Sequence, residues 1–263
     1  MNTEATIQFN SMQFDIFSIL LLSLTGFVAG GINTVAGGGS NITLPALMMF
    51  GLPADVANGT NRVAIFMQSA TGIAGYDKHK ILDRPAIIPI LIPSMIGGLL
   101  GAILAALIPN IFLKPILLLT ILALSAVILL RPQIICPPKG TIALHPRKNS
   151  LAWWSLFAAG IYGGFVQAGV GFILLAALGG GLRYDLIRAN ALKMVCALSF
   201  TSVALAVFIA FDQVWWLPGF IVGAGSMLGA HLAVKVAVKA TQDSMKWFLF
   251  AITLLSVVGG FLV

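Results

Sequence analysis

The chain is one unit written twice. GGLLGAILA at 97–105 returns as GSMLGAHLA at 225–233, an offset of 128. GLPAD at 51–55 returns as GLRYD at 181–185, an offset of 130. A two-residue change in length separates the offsets. Each copy is about 130 residues long, and both are mostly apolar. Two weakly similar apolar halves recur in secondary transporters, where the site forms near the bilayer midplane at their interface.

Composition fixes the solvent. Of 263 residues, 59% are hydrophobic and 9% charged, against roughly 25% charged in a soluble domain. Stretches such as 85–113 and 194–211 carry no charge and are long enough to cross a hydrocarbon core of about 30 Å. No loop is long enough for a second, soluble domain. The expected fold class is all-α, a polytopic integral membrane protein with one transmembrane domain over 1–263. Repeat 1 covers about 14–130, a cytoplasmic linker 131–149 and repeat 2 about 150–263. The pattern predicts helices at 14–35, 41–50, 54–75, 85–108, 112–130, 151–168, 171–180, 184–211, 214–236 and 242–262.

The net charge of +7 lies in short loops between helices. That is the positive-inside distribution of a membrane protein rather than a nucleic-acid-binding face. Arg131, Lys139, Arg147 and Lys148 mark the linker as cytoplasmic, and Lys78, Lys80 and Arg84 place the 77–84 loop on the same side. Lys235, Lys239 and Lys246 add the 235–246 turn. The N-terminal tail, with Glu4 and Asp15, and the 212–214 loop, with Asp212, read as outside. Residues 1–13 contain no Lys or Arg, so a signal-peptide n-region is missing and the first apolar run is expected to be retained.

Two expected helices, 41–50 and 171–180, have about ten residues and reach only half-way across a bilayer. Each follows a glycine-rich break, AGGGSN at 36–41 and AGVGF at 168–172. Short, glycine-interrupted segments at matching places in two halves are the best sequence pointer to a transporter's site. The charge pattern makes the halves inverted, with each break the tip of a re-entrant hairpin. Such backbone is tolerated at depth only where it is buried or lines a wet cavity.

The tips supply the first candidate binding residues. Gly37, Gly38 and Gly39 allow close approach to the backbone, and Ser40, Asn41 and Thr43 add side-chain donors at a helix N-terminus, which suits an anion. Gln167, Gly169 and Gly171 form a weaker counterpart. By contrast Gly97, Gly98 and Gly101 read as helix-packing residues.

Two cations within apolar helices are the second set. Arg62 and Lys193 lie at depth, where a buried cation costs at least about 2.5–3.5 kcal/mol on insertion scales. Neither has an acidic residue at the right depth within a few turns on its own helix, so an anionic substrate is the expected partner. Asn58, Arg62 and Ser69 share a stripe with Asn61 and Gln68 beside it, and Asn190 lies three residues before Lys193. Asp55 and Asp185 are expected to be N-caps. His231 replaces the first copy's Ile103 and reads as structural. Trp153, Trp154, Trp215 and Trp216 read as interfacial anchors.

Enzyme chemistry lacks its parts. HExxH, Walker-loop and GxSxG motifs are missing, and Cys136 and Cys196 belong to no metal or CxxC pattern. No cofactor and no metal is called for. Neither nucleic acid nor ATP is an expected partner; the bilayer and a small anion are.

The run GGINTVAGGGSNITLPALMMFGLPADVANGTNRV at 30–63 resembles the sulfite exporter TauE/SafE family of bacterial membrane permeases. The resemblance rests on the glycine-rich signature, Pro45 in the short helix, G-L-P and the A-x-G-T-N type stretch at 57–61. It extends to ANALK at 189–193. The second half departs from the family pattern, with AGVGF for a GGG signature and Leu175 opposite Pro45. The resemblance implies a multi-pass protein of a bacterial inner or plasma membrane that exports small anions, often sulfite or organosulfonates. The expected mechanism is alternating access. The alternatives are an anion channel and a non-transporting membrane assembly partner.

Overall fold

A computed structural model describes residues 15–130, 142–144, 146 and 149–240. The expected helix at 242–262, most of the linker and the N-terminal tail lie outside the described residues. Within them the chain is all helical: α1 (Ile16–Val35), α2 (Ser40–Met49), α3 (Ala54–Lys78), α4 (Arg84–Leu107), α5 (Asn110–Leu130), α6 (Ser150–Phe165), α7 (Val170–Leu175) running into a π-helical segment (Ala176–Gly181), α8 (Leu186–Ala210) and α9 (Trp216–Lys239). Four of these, α1, α4, α8 and α9, are long and apolar enough to cross a membrane. The 25-residue α3 is more polar, and its polar side chains from Asn58 to Ser69 are buried inside the bundle.

Local chemistry sets the element ends. Asp15 caps α1 by accepting the Ser18 N–H at 2.8 Å. Asp185 caps α8 as expected, accepting from the Ile187 and Arg188 N–H groups. Asp55 does not cap α3. Pro53 holds that position, and its fixed φ leads the chain into the helix, leaving Asp55 in the first turn. The expected single helix at 171–180 is also different. It turns α-helical for six residues and then π-helical through Ala-Ala-Leu-Gly-Gly-Gly, where three small glycines leave the wider turn unopposed by side chains.

The packing occurs twice over. α1 lies along α9, and α4 lies along α6. Both contacts use a GxxxG ridge on each helix. Gly26 and Gly30 face the carbonyls of Val222 and Ser226, while Gly225 and Gly229 face those of Ser23 and Phe27. In the other pair, Gly160 and Gly164 face the Ser94 and Gly98 carbonyls, while Gly97 and Gly101 face those of Phe157 and Ile161. A Cβ at any of the eight would run into a backbone oxygen, so only glycine permits this approach. Each contact maps onto its twin by moving first-helix residues by 134 and fourth-helix residues by 128. The 134 register holds only along the ridges: α1 runs one turn farther past its ridge than α6, so the helix ends at Val35 and Phe165 and the next helix starts at Ser40 and Val170 follow the 130 offset, with Leu175 opposite Pro45.

Loops gather into two clusters, separated by the length of α3, about 37 Å at 1.5 Å per residue. In one cluster, Asn110 Oδ1 accepts the Asp55 N–H at 3.0 Å. There Gln213 Nε2 donates to the Ala106 carbonyl at 3.2 Å, and the Trp215 N–H donates to Thr60 Oγ1 at 2.9 Å. In the other, the Tyr184 hydroxyl donates to Asp83 at 2.7 Å and the Leu144 N–H to the Leu182 carbonyl at 2.8 Å. Exposed Arg84 pairs with Asp77 there at 2.9 Å. The register of the glycine contacts makes α1 parallel to α9 and α6 parallel to α4. Hence α1 runs inward from the first cluster and α2 returns to it, while α6 runs inward from the second and α7 with its π-helical extension returns there.

Candidate functional site

The two glycine breaks meet. Gly37 has φ +111°, and a Cβ there would stand 2.5 Å from the Gly171 Cα, so the tips touch backbone to backbone. Beside this contact lies a narrow cavity lined by Asn33, Ser40, Ile65, Gln167, Val170, Gly171, Leu174, Lys193, Met194 and Ala197. Its room for the centres of water-sized molecules is about 10 Å³, enough for roughly one water. It collects residues from both tips, from α3 and from α8.

Side chains from the central helices hold the first tip. Thr43 Oγ1 donates to Asn61 Oδ1 at 2.6 Å, and Asn61 Nδ2 donates to Ser40 Oγ at 3.1 Å. Asn61 thus clamps the first turn of α2 from α3. Gly39 packs against the Ala29 carbonyl, and Gly38 faces the edge of the Phe172 ring. At the second tip Gln167 has φ +65°, a left-handed conformation uncommon for a residue with a side chain, and Gly169 has φ +69°. Gln167 Nε2 donates to Thr201 Oγ1 at 3.0 Å.

The buried cations occupy matching posts. Lys193 is 1% exposed, and its Nζ donates to the carbonyls of Asn33 at 2.7 Å and Thr34 at 3.2 Å and to Asn190 Oδ1 at 2.6 Å. Arg62, fully buried, donates through Nη1 to the Gly163 carbonyl. Its Nη2 donates to the Gly164 carbonyl at 2.8 Å and to Asn58 Oδ1 at 3.1 Å. Its guanidinium also lies 5.3 Å from the Phe208 ring centroid. Asn33 and Thr34 end α1, and Gly163 and Gly164 end α6. Each cation therefore sits on the last turn of the other half's first helix, where unpaired carbonyls concentrate the negative pole. Backbone oxygens supply the partner that the sequence alone left to a ligand.

The positive poles are treated differently. The N-termini of α2 and α7 receive no acidic cap, and Ser40 and Gly171 face the cavity. Among the described residues, the buried amide of Asn41 has no hydrogen-bond partner on either atom, and Gln167 Oε1 has none. On α3 the buried Gln68 amide and Ser69 hydroxyl also lack partners. Buried polar groups are nearly always satisfied, so unsatisfied ones point to water or a ligand.

Of the sequence-derived site residues, the cavity takes in Ser40, Gln167, Gly171 and Lys193 directly. Asn61 and Asn190 stand behind Ser40 and Lys193 as supports, Gly37 forms the tip contact, and Arg62 caps α6. Asn33, Thr34 and Thr201 are additions. Asn33 had a signal, a polar side chain in an apolar helix just before a glycine break. Thr34 acts through its backbone, which sequence does not advertise.

The sulfite exporter TauE/SafE family model matches residues 22–259. A "Probable membrane transporter protein" of Haemophilus influenzae is 31% identical over 227 residues, covering 86% of this chain and 87% of that protein. A "Probable membrane transporter protein ORF9" from Sinorhizobium is 27% identical over 246 residues, covering 92% of each.

Proposed function

The chain belongs to the sulfite exporter TauE/SafE family, and from that premise we propose a membrane transporter that moves a small anion by alternating access. The observation that carries the anion is the unequal treatment of helix poles. Lys193 and Arg62 neutralise the negative ends of α1 and α6. The positive end of α2 is left facing a cavity with unpaired Asn41 and Gln167 amide atoms close by. A helix N-terminus with free N–H groups favours negative charge.

In this reading the two copies are inverted repeats and each tip is re-entrant. Support comes from the exchanged pairing of first and fourth helices and from hairpins that return to the loop cluster they left. The cluster with Lys78, Lys80, Arg84 and Arg183 is cytoplasmic, by the positive-inside rule. The described form is closed around its site, with room for about one water. A solute enters only if the tips part, which is the behaviour of a carrier rather than an open pore. Sulfite and organosulfonates are the proposed substrates and export the proposed direction. A bacterial inner membrane, negative inside, favours anion exit by about 2.3 kcal/mol per charge per 100 mV.

The test is electrical current from purified protein in liposomes, challenged with sulfite, two-carbon sulfonates, sulfate and acetate at equal concentration. A saturable current for one of these anions is expected. Current that rises linearly with concentration for all of them would replace the carrier with a channel, and silence with every anion would count against net anion movement.

A further inference from the structure

The Lys193 head group is held as a dissolved cation would be held. Its Nζ lies 2.6, 2.7 and 3.2 Å from Asn190 Oδ1 and the Asn33 and Thr34 carbonyls. All three oxygens are neutral, and two of them end a broken helix beside its glycine break. In secondary transporters, unwound carbonyls and half-helix C-termini are where coupling cations bind. The spacing suits an ion of ammonium or potassium size; it is too wide for Mg²⁺ at about 2.0–2.1 Å or Ca²⁺ at about 2.3–2.6 Å. With no carboxylate among the three oxygens, the cradle matches a single positive charge.

We infer that Lys193 is a tethered coupling cation: the cradle of Asn33, Thr34 and Asn190 is a monovalent-cation site that the chain fills with its own ammonium. The inference rests on the transporter reading for the word coupling, but the cradle itself does not. A covalently supplied cation is always present. It removes any need for a free one and leaves anion movement electrogenic. Truncating Lys193 empties a site that already has its oxygens, so a free monovalent cation takes the place of the ammonium.

The test uses full-length protein purified as wild type, Lys193→Ala and Lys193→Met, in choline, sodium, potassium or ammonium chloride at one ionic strength. Thermal unfolding in detergent reads binding without any anion or flux, so it stands whether or not the anion reading holds. Wild type is expected to unfold at one temperature in all four salts. Lys193→Ala is expected to gain several degrees in potassium or ammonium relative to choline, because an ion bound only by the folded state stabilises it. The double variant Lys193→Ala, Asn190→Ala is expected to lose that gain. If neither single variant is monodisperse in choline, recovery of the monodisperse peak in ammonium or potassium is the same result. Equal behaviour of the variants in all four salts, including failure to fold in all four, overturns the inference. So does a wild-type protein stabilised by one small cation over choline.

Discussion

The two tips meet backbone to backbone and differ in their side chains. At the first, Asn61 ties down Ser40 and Thr43, and the amide of Asn41 is left unpaired. At the second, Val170, Phe172, Leu174 and Leu175 pack the returning arm into an apolar cluster, and the polar contacts are Gln167 with Thr201 and the Tyr162 hydroxyl donating to the Ala168 carbonyl. The backbone contact is mutual, since a Cβ on Gly37 meets Gly171 and one on Gly171 meets Gly37. Side-chain hydrogen-bonding groups are therefore concentrated at the first tip, and in the proposed transport cycle a ligand between the tips would meet them on one side and a mostly hydrophobic wall on the other.

That contrast sets the order of expected effects. Gly37→Val and Gly171→Val should be equally severe, because each drives a side chain into facing backbone; core overpacking costs about 1–3 kcal/mol even where side chains give way, and here they cannot. Loss of the monodisperse peak in size-exclusion chromatography is the expected readout, and tolerance of either change would break the mutual tip contact. Gly38→Val should insert normally yet abolish flux. Its nearest obstacle is the Phe172 ring edge, 3.0 Å from the added Cβ, a side chain rather than facing backbone. Full flux in liposomes would remove Gly38 from the pathway.

Lys193→Ala should lower anion flux about a hundredfold in choline buffer, equivalent to ~2.7 kcal/mol of barrier, with membrane insertion intact. Unchanged flux would end its role. The smallest pair tests the asymmetry directly. Asn61→Leu strips two hydrogen bonds from the polar tip, and at about 1 kcal/mol or more for each buried group left unpaired it should cost flux about thirtyfold. Gln167→Leu removes one bond at the apolar tip and should cost less. Reversed magnitudes in parallel flux assays would put the binding chemistry on the second tip instead.

Much of the architecture was legible in the sequence because the bilayer imposes simple rules. Apolar runs and charged loops placed all nine described helices near their observed positions, and the glycine breaks marked the tips. Gly97 and Gly101, read as packing residues, do pack. What escaped depends on contacts between distant parts of the chain. Lys193 finds Asn33 and Arg62 finds Gly163, each more than 100 positions away, and no local pattern announces a backbone carbonyl as a partner. The offset of 130 between GLPAD and GLRYD carries back through the tips, where α1 and α6 end at Val35 and Phe165. The missing cap at Asp55 escaped because the preceding Pro53 sets the helix start in its place.

The glycine ridges bear on what half of this chain could do alone. In both interlocked pairs, α1 with α9 and α4 with α6, one helix belongs to each copy. A lone copy would leave two ridges bare. Halves expressed separately should therefore find each other again, because each carries the ridges that the other buries.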